Sequence, residues 1–161
     1  MEQEKIEYDG NMTRQEMNDK IQELWDNAPI KWAFGRSQFI KMLQEWGIAD
    51  KPDCTSMLVE VGNGGYILKT DTDKLVEIKK QTDQIREDFY KDNKNYEDEL
   101  LRQLYNHDCA WTEDPSDAVD DIGVGLTEER KQIVRAVWKR FCRKNKVVYF
   151  DPYPSYNEDA D

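Results

Sequence analysis

Gly62-Asn63-Gly64-Gly65 separates two apolar runs, Met57-Leu58-Val59-Glu60-Val61 and Tyr66-Ile67-Leu68-Lys69. A Gly/Asn turn between β-branched runs is the strongest short-range signal for a β-hairpin, because so tight a turn needs residues that tolerate positive φ. That requirement alone is expected to explain all three glycines. The hairpin sits in the middle of a chain whose flanks carry helical periodicity. The expected fold is therefore α+β and mainly helical, with five or six helices around a small antiparallel β-hairpin. Residues 147–150, Val-Val-Tyr-Phe, are the candidate third strand.

The helices follow from caps and stripes. Thr13 and Glu16 form a capping-box sequence ahead of Met17, Ile21, Leu24, Trp25 and Ala28, giving a helix over about 14–27 that Pro29 closes. Residues 30–34 read as a short strand or extended link. Ser37 is the expected cap of a second helix carrying Phe39, Met42, Leu43 and Trp46, with Gly47 as its stop. After the hairpin, Thr70 or Asp71 opens a long helix (Leu75, Ile78, Thr82, Ile85, Phe89) that the Asp92-Asn-Lys-Asn95 breaker ends. Helices over about 96–108, 116–122 and 128–145 complete the pattern, the last with Ile133, Val137 and Phe141 inward. Residues 1–12 are expected to be flexible, 13–150 to form one globular domain, and 151–161 to be an acidic Pro/Tyr tail.

Of 161 residues, 23 are Lys or Arg and 34 are Asp or Glu, a net charge of −11, which excludes a uniformly basic nucleic-acid binder. Eighteen aromatic residues are too many for a disordered acidic chain. The charge is segregated. Residues 106–127 hold six acids and no Lys or Arg, while residues 128–146 hold eight bases against two acids. The simplest reading is that the last helix arranges its charges along its own dipole and pairs with the acidic segment before it. No apolar run is long enough to cross a bilayer, and Cys54, Cys109 and Cys142 are odd in number with no Cys-x-x-Cys pair. These features point to a reducing cytoplasm and away from a membrane or a disulfide framework.

No catalytic motif stands out. His107 and Cys109 lie two apart, so on a helix they point in different directions and do not make a nucleophile pair. No zinc spacing joins them to Cys54 or Cys142, and the acidic segment lacks the order of a calcium-binding hand. The glycine turn does not match a P-loop, because no Gly-Lys-Ser/Thr follows, nor a dinucleotide fingerprint, because a strand rather than a helix follows. Accordingly no catalytic residue, metal or cofactor is expected.

Three groups remain as candidate binding residues. The first is an acidic partner-binding face of Asp108, Glu113, Asp114, Asp117, Asp120 and Asp121. The second is a pocket drawing on Trp32, Arg36, Asn63, Gly64, Gly65, Tyr66, His107 and Trp111. The third is a basic patch of Lys139, Arg140, Arg143 and Lys144. Trp25, Trp46 and Trp138 lie beside helical stripes and are assigned to the core, whereas Trp32 and Trp111 fall outside them.

Trp32-Ala-Phe-Gly-Arg-Ser-Gln-Phe39, the turn from Val61 to Lys69, and Leu104-Tyr-Asn-His-Asp-Cys109 with the Asp-rich stretch to Gly123 resemble an uncharacterised family of small phage and mobile-element proteins. The resemblance covers about 30–123. It implies a virus-encoded accessory protein in the cytoplasm of a bacterial host. In that setting the expected function is non-catalytic, anti-CRISPR-like inhibition of a host defence nuclease through the acidic face. The partner would be a nucleic-acid-processing enzyme or its complex with guide RNA, with little direct nucleic-acid binding overall. The alternative is a binder or sponge for a nucleotide signal, built on the glycine turn and Asn106-His107-Asp108.

Overall fold

The computed structural model describes residues 10–155, so most of the expected flexible N-terminus and the end of the acidic tail lie outside the described residues. The fold is α+β and mainly helical. Its α-helices are α1 (Arg14–Asp26), α2 (Arg36–Glu45), α3 (Thr72–Tyr90), α4 (Asn93–Asn106), α5 (Cys109–Thr112), α6 (Ser116–Asp120) and α7 (Glu128–Asn145). Strands β1 (Lys31–Trp32), β2 (Leu58–Gly62) and β3 (Gly65–Leu68) form one antiparallel sheet in the order β1-β3-β2. The described residues divide into two compact units, unit 1 of residues 10–17 and 83–155 and unit 2 of residues 18–82.

Unit 2 is built on the hairpin. Gly62 pairs with Gly65, leaving Asn63 and Gly64 as the two turn residues, at φ +52° and +82°. Positive φ at both positions is what a type I′ hairpin turn demands. Gly65 has no positive φ, which corrects the expectation that every glycine serves the turn. Its reason is space: a Cβ there would lie 2.9 Å from the Trp32 ring. The third strand also differs from expectation. It is β1, whose Trp32 pairs with Gly65, whereas residues 147–150 form no strand. The extended link before α2 thus supplies the edge.

Helix α2 starts one residue before the expected Ser37 cap. Gly35 occupies the cap position with no side-chain bond, and Gln38 instead accepts the Phe34 N–H at 2.7 Å, tying down the entry of the helix. Ala33, Met42, Leu43 and Ile48 form the core of this unit, with Phe39, Trp46, Met57, Leu58, Tyr66 and Leu68 packed on it. Trp25 is not a core residue. It is 36% exposed, and its indole N–H donates to Thr82, which explains a threonine on the inner stripe of α3.

In unit 1, α4 packs against α5, α6 and α7. Leu100, Leu104, Val134, Val137, Trp138 and Phe141 are buried together with Tyr90 and Tyr96, whose phenols burial pushes up to about 12. Asp92 accepts the Lys94 N–H, so the expected breaker is the cap of α4 and the helix begins at Asn93. Helix α7 spans the expected residues behind its Thr127 cap, but its inner face is rotated to bury Val134, Val137, Trp138, Phe141 and Cys142, leaving Ile133 half-buried. Two charged groups are buried with partners. Glu99 is held by Arg14, Arg102 and Gln103, and Arg130 by Glu87 and the carbonyl of Gly125. Among the described residues, no buried side-chain nitrogen or oxygen lacks a hydrogen-bond partner.

Candidate functional site

The acidic face is assembled by a short excursion between α4 and α7. His107 ends α4, and its Nε2 lies 2.6 Å from Asp121 Oδ2. Asp108 and Glu113 then bracket α5 with left-handed backbone at φ 49° and 57°. Such φ values cost a non-glycine residue about 1–3 kcal/mol each, and strain of this kind persists only where the surroundings hold it. The single helical turn between them buries Cys109 and exposes Trp111 to 88%. Asp114 accepts from both the hydroxyl and the amide of Ser116, and these bonds hold its carboxyl below the usual carboxylate range while they start α6.

Asp108, Asp114 and Asp117 lie close enough to Cys109 for their charge to bear on its thiol, whose pKa is raised chiefly by burial. A thiol kept protonated in this way is the opposite of an activated nucleophile. Burial likewise raises Cys142, and the charge of Glu113 adds to it.

The bases of α7 do not neutralise this face. Arg130 pairs with Glu87, Lys131 with Glu128, Arg135 with Asp151 and Arg140 with Glu97. Lys139 sits over the Tyr149 ring, and Lys131 and Arg135 over Tyr153. The segment after α7, expected as a strand, instead folds back on the basic helix as an aromatic strap. The first half of the simple electrostatic reading holds, since Glu128 and Glu129 lie in the first turn and Arg143 and Lys144 in the last. Its second half does not: among the described residues, no Lys or Arg pairs with any of the six acids. Of the four proposed patch residues, Lys139 and Arg140 are engaged, while Arg143 and Lys144 are exposed without an ion pair among the described residues.

The candidate pocket residues divide between the units. In unit 2, Arg36, Gly64 and Tyr66 line a cleft of about 580 Å³ with Ala33, Phe34, Gly35 and Phe39. Trp32 and Gly65 stand behind it, Trp32 stacked on Phe34 at 6.4 Å. Asn63 is exposed on the turn and does not line the cleft; His107 and Trp111 belong to unit 1 and are not among its lining residues. Sequence reasoning missed Phe34 and Phe39 as cleft walls. A signal was present: Phe34 follows the buried Ala33 in an extended segment, so its side chain falls on the opposite, open face.

Among the described residues, no group of three or more His, Cys, Asp or Glu side chains is placed to hold a metal ion, and no helix is long and apolar enough to cross a membrane. No curated protein and no solved structure matches the chain. A family model matches residues 13–144, extending beyond 30–123 on both sides and taking in α1 and nearly all of α7. The chain belongs to this family, described as a family of unknown function (DUF7659).

Proposed function

We propose that this protein is a non-catalytic binding protein that docks a positively charged partner protein on the acidic face of unit 1. The observation that carries the reading is that this face keeps its charge: six carboxylates lie within one short segment, and among the described residues none of them pairs with a Lys or Arg, four of the bases that follow being matched to Glu87, Glu128, Asp151 and Glu97. Trp111, 88% exposed in their midst, supplies an apolar anchor. An exposed aromatic flanked in sequence by like charges has the composition of a binding hot spot, with the charges steering encounter and the ring supplying area to bury. The strained residues at both ends of α5 fit a turn kept for what it presents.

In the phage or mobile-element setting that the sequence resemblance implies, the partner is a bacterial defence nuclease such as a CRISPR effector. Such an enzyme carries an electropositive nucleic-acid channel complementary to this face. The inhibitor needs no cofactor and performs no chemistry.

The test is to purify the full chain from a bacterial host with its partner attached. That partner's binding is then measured with Asp114, Asp117, Asp120 and Asp121 changed together to Asn, and separately with Trp111→Ser. Asn at 114 keeps an acceptor for Ser116, so α6 retains its start. Binding that weakens with salt in the wild type and is lost in both variants, at unchanged melting temperature, is the expected result. Undiminished binding by the four-Asn variant rejects the acidic face.

A further inference from the structure

The cleft of unit 2 has a chemistry of its own. Its residue lining has three aromatic rings, Phe34, Phe39 and Tyr66, and a single charged side chain, Arg36. Phe39 and Tyr66 meet edge to face with centroids 5.3 Å apart, giving a fixed wall, while Phe34 is 75% exposed and presents a free face. Arg36 makes no ion pair among the described residues, although ten Asp and Glu lie within residues 18–82. A lone, unmatched guanidinium beside stackable rings suits a planar ligand that carries negative charge.

Two features show that the fold is arranged to present this wall. Side chains are excluded from the turn next to it: a Cβ on Gly64 would lie 3.0 Å from the Ala33 carbonyl oxygen and from the Phe34 ring, and one on Gly65 would strike Trp32. Both glycines thus make room for a pair of aromatic rings that remain largely in solvent, which packing alone does not require. The backbone beneath is tied at both ends, by Ala33 N–H to the Gly64 carbonyl at 2.9 Å and by Phe34 N–H to Gln38. A volume of about 580 Å³ is within the range of small-ligand sites.

We propose that this cleft binds a mononucleotide, with the base stacked on Phe34 and the phosphate on Arg36. No bond is made or broken. The site is distinct in residues and in charge from the acidic face, so either can stand without the other.

Calorimetric titration of the full chain with AMP, GMP and UMP tests the proposal, with adenosine and inorganic phosphate as the separated halves. Phe34 and Arg36 are both exposed, so Phe34→Ala and Arg36→Gln leave the core intact, which unchanged melting temperatures confirm. Saturable binding of at least one nucleotide is expected, weakened about tenfold or more by Arg36→Gln through the lost charge-assisted bond and about fivefold or more by Phe34→Ala through lost stacking. Each half should bind at least tenfold more weakly than the nucleotide. The proposal is overturned by no saturable binding at millimolar nucleotide, by binding that neither variant changes, or by phosphate binding as tightly as the nucleotide. A ten-residue single-stranded oligonucleotide that binds a hundredfold more tightly than any mononucleotide also overturns it, in favour of a nucleic-acid strand.

Discussion

Placing one methyl group on Gly65 is expected to destabilise unit 2 by way of Trp32. Gly65 has no positive φ, so alanine fits its backbone, and any cost is steric. The added Cβ would lie 2.9 Å from Trp32 Cζ3, 3.1 Å from Val61 Cγ2 and 3.2 Å from the Gly62 carbonyl oxygen. Carbon atoms at rest stand about 3.5–4.0 Å apart, so the indole must retreat by roughly 0.6 Å or more and loosen its stack on Phe34. Overpacking on this scale costs about 1–3 kcal/mol, and each kcal/mol moves the melting temperature of a chain this long by about 2–4 °C. The measurement is a set of four denaturation curves, for wild type, Gly65→Ala, Trp32→Ala and the double variant. Without the Trp32 ring the new methyl meets only the two longer contacts. The cost of Gly65→Ala should therefore fall by about 1 kcal/mol in the Trp32→Ala background, a coupling typical of residues in contact. An equal cost in both backgrounds would refute the idea that Gly65 exists to admit the indole, and with it part of the case for a deliberately presented aromatic wall.

Glu87 supports the loop before α7 through Arg130 and the Gly125 N–H, and hydrogen bonds from Arg130 chiefly hold its carboxyl below its ordinary value of 4.5. A carboxyl depressed in the folded state stabilises above its unfolded value and loses that contribution as pH falls through the folded one. Glu87→Gln should thus cost about 1 kcal/mol near neutrality, the Glu87 side chain being 38% exposed, and the gap to wild type should close in urea titrations below pH 4.5. Leu104, fully buried on α4, should lose about 2–5 kcal/mol on Leu104→Ala, read as a lower urea midpoint with α4 and α7 still helical by circular dichroism.

Much of the local architecture was legible because its causes are local. Thr13 and Glu16 exchange the two capping bonds their spacing promised, at 3.2 and 2.8 Å, and Gly47 ends α2 in the left-handed conformation. The acids and bases lie where the chain order put them. The candidate site was legible in part: Trp32 and Trp111 were separated from the core tryptophans by their positions off the helical stripes, and both are exposed. Trp25 was misplaced because it lies on a stripe whose rim is half open, and periodicity gives a direction without a depth. The short turn of α5 left no periodic signal, since four residues are too few to show one.

By itself the sequence determined the hairpin turn and the caps at Thr13 and Thr127, set by residues within about four positions of one another, and the segregation of charge along the chain. Only the tertiary structure decided which partner each element found. It chose residues 31–32 rather than 147–150 as the third strand, and it sent Arg130, Arg140 and Arg135 of α7 to Glu87, Glu97 and Asp151 rather than to the acidic segment. It also turned Gly65 from a turn residue into a seat for Trp32. The physical reason is common to all three. Pairing across the chain is a competition among distant groups of similar chemistry, and its outcome depends on the space left when the other elements have packed.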